Sequence, residues 1–372
     1  MLFDSGIHSS DDARRLARRR LPRLIFDYID GAAGEERGAA MNRQALQDLR
    51  LRPRVLVDVS ERSLETSVFG ETCGLPFGIA PMGMCDLSRS GADLMLARMA
   101  AKHRIPHGVS TVASTSMEQV LEASEGRAWF QLYFSGDGSG AMKLVERAKR
   151  AGYGTLVLTV DVPEVGRRPR ELRRGFKMPF RIGPREFIDF ALHPAWSIST
   201  LLAGKPDTAN FDGRDYVFDR TESRARADWA YLDRLREAWP GKLVVKGVLD
   251  IEDAIRLKAS GVDAIQVSSH GGRQADAAPA PILALRDIRE AVGDDFTLFY
   301  DSGVRSGEDI AKAYALGANF VFVGRVWQFA IAARGEAGLE EMRAVLAAEF
   351  DATLAQVGAK SPSDLSPLTI AA

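Results

Sequence analysis

The sequence is poor in the residues that build disulfide frameworks and metal centres. It holds 2 cysteines in 372 residues, Cys73 and Cys85, which show neither CxxC spacing nor neighbouring histidines, so we expect no disulfide scaffold and no metal site. No apolar run reaches the roughly 20 residues that a membrane-spanning helix needs, and the N-terminus lacks the apolar core of a signal peptide. These absences predict a cytoplasmic protein.

An excess of charge of either sign is also missing. Lys and Arg number 49 and Asp and Glu number 50, which gives a formal net charge of -1, so no global field favours nucleic acid as a partner. The basic stretch DDARRLARRRLPR at residues 11–23 fits either a transit peptide or a solvated first helix, and its two aspartates favour the helix. With 46% hydrophobic and 27% charged residues, the chain is typical of one large globular domain spanning residues 1–372.

Short apolar runs alternate with amphipathic helical patterns along most of the chain. Helical segments such as SGADLMLARMAAKH and GEDIAKAYALG separate most of these runs, and this alternation predicts an α/β fold, a (β/α)8 TIM barrel. A doubly wound sheet is the alternative, but no GxGxxG opens a first βα turn. The eight predicted strands are LPFGIAPMG, PHGVST, AWFQLYF, GTLVLTVD, KLVVKGV, AIQVSSH, TLFYDSG and FVFVGR.

One connection is much longer than the others. About 80 residues separate Asp161, at the end of the fourth predicted strand, from Lys242, and a connection of that length is usually functional or disordered. We assign residues 169–228 as a lid-like insert. Its segment FIDFALHPAWSISTLLAG is apolar and aromatic, which is compatible with a lid helix or with a peripheral contact to the inner face of the membrane. Both interpretations remain open.

Polar side chains gather where the predicted strands end, which in a TIM barrel is the catalytic face. His270 ends the sixth strand within SSHGGRQAD, Asp161 ends the fourth, and Lys246 lies in the fifth. The glycine-rich segments DSGVRSG and VGRV follow the seventh and eighth strands, and their Arg305 and Arg325 suit the phosphate site that this face commonly carries. The pattern predicts a phosphorylated ligand beside a histidine.

Several motifs together resemble a known family. FQLY, LTVDVP, GRR, VKGV, SSHGGRQAD, DSGVRSG and GR occur in that order, and the resemblance extends from about residue 21 to about residue 367. The chain resembles the FMN-dependent 2-hydroxy acid dehydrogenases and oxidases, the group that includes glycolate oxidase, L-lactate dehydrogenase and (S)-mandelate dehydrogenase. The resemblance implies oxidation of an L-2-hydroxy acid, with electrons passed from reduced FMN to a quinone or another acceptor. A homotetramer is also implied.

The resemblance assigns residues to the cofactor. FMN would lie across the mouth of the barrel, with its ring near the first five strands and its phosphate near the last two. The residues implied for the isoalloxazine are Pro81, Met82, Gly83, Ser110, Gln131, Thr159 and Lys246. Those implied for the ribityl chain and phosphate are Asp301, Ser302, Gly303, Arg305, Gly324 and Arg325.

The resemblance also assigns the chemistry. His270 would act as the base on the hydroxyl or the α-carbon proton, and Asp161 would stabilise the resulting imidazolium. Arg273 and Arg168 suit a forked grip on the substrate carboxylate, because a guanidinium matches its planar geometry. The implied catalytic set is His270, Asp161 and Tyr133, and the implied substrate-binding set is Tyr28, Tyr133, Arg168 and Arg273.

Four positions depart from the pattern of parts of the family. Ser269 replaces the common Asn before the histidine, which predicts a weaker supporting contact, and Ser302 stands where glycolate oxidase has Gly. Gly83 matches the lactate and mandelate dehydrogenases, and Val112 stands where glycolate oxidase has Trp. These residues predict a roomier pocket and dehydrogenase behaviour, while the particular substrate stays open.

Three alternatives remain at this point. The enzyme could use oxygen and produce hydrogen peroxide, as a 2-hydroxy acid oxidase does. A different FMN-binding TIM barrel, such as an isomerase, would have no need for paired arginines and tyrosines around His270. A flavin-binding protein without activity would keep the fold and lose the chemistry.

Overall fold

The computed structural model describes residues 6–176, 182–204, 208–211 and 223–365, and its centre is a closed barrel of eight parallel strands. The predicted TIM barrel is confirmed, because each predicted strand is present and pairs with its neighbour along the chain, the last strand closing onto the first. A hairpin of β1 (Thr66–Val68) and β2 (Glu71–Cys73) precedes the barrel. The barrel strands are β3 (Phe77–Met82), β4 (His107–Ser110), β5 (Ala128–Tyr133), β6 (Thr155–Thr159), β7 (Lys242–Val248), β8 (Ala264–Val267), β9 (Thr297–Tyr300) and β10 (Phe320–Val323).

Helices cover the outside of the barrel, so nearly every strand residue is buried. This two-sided cover is why the strands read as continuous apolar runs. In chain order the helices are α1 (Ser10–Arg20), α2 (Arg23–Asp30), α3 (Arg37–Asp48), α4 (Ala92–His103), α5 (Met117–Ala123), α6 (Ser139–Ala151), α7 (Pro169–Arg173), α8 (Pro184–Ala191), α9 (Pro194–Ala203), α10 (Trp229–Ala238), α11 (Ile251–Ala259), α12 (Pro281–Val292), α13 (Gly307–Ala315), α14 (Arg325–Arg334) and α15 (Glu336–Val357).

Aromatic residues fill the N-terminal end of the barrel. Trp129 and Phe299 point inward from β5 and β9 with ring centroids 5.5 Å apart. Phe69, in the turn between β1 and β2, lies 5.5 Å from Phe299 and 5.6 Å from Trp129. The hairpin therefore plugs this end, a role that the sequence did not predict, and the opposite end is left for the site.

The helices α7, α8 and α9 lie in the predicted insert, and the described part of the insert is fastened to the barrel. The Trp196 indole Nε1 donates to the Leu87 carbonyl at 2.8 Å. Asn210 is buried, and its amide donates to the Thr111 carbonyl at 3.2 Å and accepts from the Met117 backbone N–H at 2.8 Å. Residues 177–181, 205–207 and 212–222 of the insert lie outside the described residues.

Candidate active site

A cavity opens at the C-terminal ends of the barrel strands. Most of the predicted site residues line it, although they come from positions as distant in sequence as Tyr28 and Arg325. Ser110, Gln131, Thr159, Asp161 and Arg168 lie outside this lining. The predicted residues that line the cavity are Tyr28, Pro81, Met82, Gly83, Tyr133, Lys246, His270, Arg273, Asp301, Ser302, Gly303, Arg305, Gly324 and Arg325.

His270 projects into the cavity from the turn after β8. Its backbone lies in the left-handed region with φ of 56°, a conformation that a non-glycine residue adopts only when its surroundings hold it there. The Ser268 hydroxyl accepts the His270 backbone N–H at 3.0 Å, and the Ser302 hydroxyl accepts the Gly271 N–H at 3.0 Å. These bonds fix the backbone of the turn that carries the imidazole.

The two ring nitrogens of His270 have different neighbours. Nδ1 lies 2.9 Å from Oδ1 of Asp161, and Nε2 lies 3.3 Å from the Tyr133 hydroxyl. Burial lowers the pKa of His270, Asp161 opposes this, and Lys246 adds to it, so that the pKa falls below the ordinary 6.5. For Asp161, burial raises the pKa, but His270 and Lys246 lower it overall. This arrangement suits a neutral imidazole that accepts a proton at Nε2 while Asp161 stays ionised.

A buried charged network lies under the histidine. The Lys246 ammonium is 3.2 Å from Oδ2 of Asp301 and donates to the Ser268 hydroxyl at 2.7 Å. Burial lowers the pKa of Lys246, but Asp301 and Asp161 raise it overall. Lys246 therefore places a lasting positive charge at the edge of the cavity.

The paired arginines meet at a shared carboxylate that sequence reasoning missed. The Arg273 guanidinium donates to Oε1 of Glu171 at 3.0 Å, and Arg168 lies 3.4 Å from the same atom. Arg273 also lies 5.1 Å from the ring centroid of Tyr28, and that ring stacks on Phe176 at 4.5 Å. Arg273 faces the cavity, whereas Arg168 lies behind it. The three-residue spacing of Arg168 and Glu171 was the available signal.

The predicted phosphate end has a close-packed backbone and buried cations. Gly303 has φ of 87°, and a Cβ there would lie 2.7 Å from the Asn42 carbonyl, so a side chain would not fit. Burial and the nearby Arg43 lower the pKa of Arg305 to about 10, and this guanidinium stays charged at neutral pH. Arg325 donates to the carbonyls of Ile29, Gly31 and Gly271. Two cations beside glycine backbone suit a phosphate.

The wall formed by β4, β5 and β6 carries polar atoms without partners. Gln131 accepts from the Ser110 hydroxyl at 3.1 Å, yet its Nε2 and the Thr159 hydroxyl have no hydrogen-bond partner within the described residues. Buried polar groups are nearly always paired, so these atoms fit the polar edge of a bound heterocycle such as flavin. Gly83 lies beside Ser110 of this wall, and a Cβ there would come within 2.5 Å of the Val112 side chain.

Several supporting residues were not predicted. Gln266 donates to Oδ2 of Asp301 at 2.6 Å, and Ser268 donates to Oδ1 at 2.6 Å. Asn42, from α3, donates to the Ser269 hydroxyl at 2.7 Å. The sequence predicts that Ser269 makes a weaker supporting contact than the common Asn. In the structure Ser269 is supported by Asn42 from a distant helix, and no local signal in the sequence identifies Asn42 as the partner.

A TIM barrel whose rim combines glycine backbone beside buried arginines, unpaired polar groups and a histidine–aspartate pair has the features of a flavin-dependent oxidoreductase. The family model of the FMN-dependent dehydrogenases matches residues 17–372. The chain belongs to this family. It is an FMN-dependent oxidoreductase that acts on a CH–OH group, of the 2-hydroxy acid dehydrogenase type.

Individual relatives are similar over nearly their whole length. The chain is 40% identical to (S)-mandelate dehydrogenase of Pseudomonas putida, covering 98% of this chain and 94% of the relative. It is 39% identical to L-lactate dehydrogenase of Pseudomonas syringae pv. syringae strain B728a, covering 95% and 96%. The crystal structure of the monotopic membrane protein (S)-mandelate dehydrogenase superposes with a TM-score of 0.92 at 39% identity, covering 98% of this chain and 99% of that one.

The predicted phosphate role of Arg305 can be tested directly. We expect Arg305→Ala to weaken FMN binding by the apoprotein by about 10-fold to 100-fold, because a hydrogen bond to a charged group contributes roughly 1.5–3 kcal/mol. Quenching of flavin fluorescence during titration measures the affinity. Arg286→Ala, an exposed arginine of α12, is the matched control. Equal affinity of the two variants would contradict the assignment.

Proposed function

We propose that the chain oxidises an L-2-hydroxy acid to the 2-oxo acid, with His270 as the base. The observation that carries the proposal is the position of the imidazole. Its Nδ1 is held 2.9 Å from Asp161, and its Nε2 faces the cavity 3.3 Å from the Tyr133 hydroxyl. A base oriented by a carboxylate, next to a hydroxyl donor, is the arrangement that general base catalysis requires.

The proton and the two electrons leave the substrate by separate routes. Nε2 of His270 takes the proton of the C2 hydroxyl, and Asp161 stabilises the imidazolium that results. The Tyr133 hydroxyl donates a hydrogen bond to the substrate oxygen as negative charge develops there. When bound, FMN supplies the redox chemistry by accepting the C2 hydrogen with its electron pair.

The substrate carboxylate is assigned to the arginine pair. Arg273 lies at the cavity surface, and Arg168 adds positive charge behind it. Tyr28, held by its stack on Phe176, supplies a further donor. Glu171 positions both guanidinium groups through the 3.0 Å and 3.4 Å contacts. Because Arg273 and Arg168 share the single negative charge of Glu171, one net positive charge is left to bind the substrate carboxylate.

FMN is assigned to the residues that the resemblance implies, and the geometry supports this. Lys246 supplies a fixed positive charge beside the ring, and the unpaired atoms of Gln131 and Thr159 supply polar contacts. The residues proposed to hold the ring are Pro81, Met82, Gly83, Ser110, Gln131, Thr159 and Lys246. Those proposed for the ribityl chain and phosphate are Asp301, Ser302, Gly303, Arg305, Gly324 and Arg325.

For substrate and acceptor, we propose a lactate-sized or larger 2-hydroxy acid and a quinone. Val112 fills the space beside Gly83 but leaves more room than an aromatic ring would. The relatives named for mandelate and L-lactate support this size range. Gly83 and Ser302 favour slow reaction of the reduced enzyme with oxygen, and peroxide-forming oxidation is the alternative.

We also propose that the insert contacts a membrane surface. Exposed apolar side chains on α8, on α9 and in the turn between them include Phe187 (67% exposed), Leu192 (72%), Leu201 (82%) and Leu202 (83%). Among the helices of the described ranges, none combines the length and the apolar character needed to cross a bilayer. Apolar residues on short surface helices instead suit insertion to the depth of the headgroups. A solved relative named as a monotopic membrane protein supports this interpretation.

A basic groove lies directly beside these apolar residues. Nine arginines and four carboxylates line it, from α1, α2, α7 and α8 and from Arg174 just after α7, and Ile188 and Leu192 belong to the same lining. Asp30 pairs with Arg14 and Arg170, but the lining keeps an excess of positive charge. A basic surface next to apolar side chains is complementary to anionic lipid headgroups.

The proposed reaction is tested by anaerobic flavin reduction. We expect L-lactate or L-mandelate to bleach the bound flavin faster than glycolate, and His270→Gln to slow this reduction about 10²-fold or more, because the base is lost. FMN content should stay unchanged, which serves as the folding control. Reduced enzyme mixed with oxygen or with a soluble quinone then identifies the acceptor. Near wild-type reduction by His270→Gln would remove the assignment of the base.

The protonation of His270 predicts a pH profile. The neutral imidazole is the active form, and its pKa is lowered below 6.5, so kcat/KM should decrease as the pH falls, with a midpoint below pH 6.5. Because kcat/KM reports groups of the free enzyme, steady-state rates across this range measure the effect. An inflection at or above pH 6.5 would contradict the predicted lowering.

Vesicle flotation tests the membrane contact. We expect the double variant Leu201→Asp with Leu202→Asp to bind vesicles containing phosphatidylglycerol at least about 100-fold less tightly, because burying each leucine contributes roughly 1.5–3 kcal/mol and the two together about 3 kcal/mol or more. Val55→Asp, at a residue 81% exposed outside the insert, is the control and should bind like the wild type. If the helices form a lid instead, the double variant should change KM and leave vesicle binding unaltered.

A further inference from the structure

Arg224, near the C-terminal end of the insert, lies on the ring of Tyr133. Its guanidinium carbon is 4.8 Å from the ring centroid, within the roughly 6 Å range of a cation–π contact. The preceding residue is anchored as well, because the Ser223 carbonyl accepts the Gly136 backbone N–H at 3.0 Å. The end of the insert is thus fixed against the loop that follows β5.

The Tyr133 ring connects this arginine with the candidate base. Tyr133 is partly buried, and its hydroxyl lies 3.3 Å from Nε2 of His270. The charged groups around it are Asp161, Lys246, Arg168 and Arg224. Burial and Asp161 raise the pKa of Tyr133, whereas Lys246, Arg224 and Arg168 act in the opposite direction. Arg224 is the member of this set that lies on the ring face.

We propose that Arg224 is a positioning residue that acts through Tyr133 and makes its hydroxyl a stronger hydrogen-bond donor toward the substrate oxygen. This inference rests on the proposed function. As the C2 hydroxyl loses its proton to Nε2 of His270, negative charge grows on the oxygen that Tyr133 contacts. A cation on the ring stabilises electron density in the phenol, so the O–H donates more strongly at that moment. No bond to Arg224 forms or breaks.

A structural role gives a different expectation. If Arg224 serves to pack the insert against the barrel, its loss would affect the ring contact whether or not the ring carries a hydroxyl. Tyr133→Phe keeps the ring and removes the hydroxyl, so it separates the two roles. A double-mutant cycle between Arg224 and Tyr133 measures the coupling.

The kinetic arm uses the holoenzyme and anaerobic flavin reduction. We expect Arg224→Met to slow flavin reduction about 5-fold to 10-fold when residue 133 is tyrosine. In the Tyr133→Phe background the same substitution should slow it less than about 2-fold. Arg224→Lys keeps a cation and should recover most of the rate. Arg256→Met removes a comparable contact, 3.9 Å over Trp229, and should leave the rate unchanged. Equal losses in both backgrounds, or no loss in either, would overturn the proposal.

The second arm does not depend on turnover. With 3-fluorotyrosine placed at position 133 of the holoenzyme, ¹⁹F NMR follows the ionisation of the phenol with pH. Arg224→Met should raise the midpoint by about half a pH unit or more, because a nearby cation favours the charged phenolate. Arg256→Met should not move it. An unchanged midpoint in Arg224→Met overturns the inference even if the wild type oxidises a 2-hydroxy acid. A raised midpoint supports it even if no such acid reduces the flavin.

Discussion

The buried ion pair of Lys246 and Asp301 is the contact on which the rim of the barrel depends. Their side chains are 4% and 8% exposed, and the charged atoms lie 3.2 Å apart. Either charge alone would be costly to bury, so each requires the other. Asp301 also accepts hydrogen bonds from Gln266 and Ser268, which joins the ends of β7, β8 and β9. Ser268 in turn receives the His270 backbone N–H. The strained turn that carries His270 therefore rests on a charge pair.

The same charges decide the protonation of the site. Lys246 lowers the pKa of His270, whereas Asp161 raises it and burial lowers it most. A carboxylate that orients an imidazole also raises its pKa, so the imidazole stays neutral only if another influence lowers that pKa. Burial and the ammonium supply it, and the same ammonium lowers the pKa of Asp161. The site thus keeps one ionised carboxylate next to one neutral imidazole in a confined space.

The strands and the histidine turn could be predicted because their signals are local. Apolar runs ending in polar residues predict barrel strands and a functional rim, and the order of motifs identifies the family. Contacts between distant segments gave no such signal: Asn42 supports Ser269 across more than two hundred residues, and Phe69 plugs the barrel from a two-residue turn. Glu171 was missed because a carboxylate within an arginine-rich stretch of sequence is ordinarily a surface residue. Tyr28 came from the resemblance, since its local pattern is that of any helix.

The insert joins features that would otherwise be unrelated. It leaves the barrel after β6, so it emerges on the C-terminal face that also holds the cavity. Along its described parts, α8 and α9 present apolar side chains outward, Asn210 ties down the loop after β4, and Arg224 contacts Tyr133. The surface proposed to meet lipid and the cavity proposed to hold flavin thus belong to the same end of the barrel. The described lining of the cavity includes none of the exposed apolar residues of α8 and α9, and a purely soluble lid would have no use for such exposed leucines. The outward leucines, more than the loop length, therefore favour the membrane interpretation.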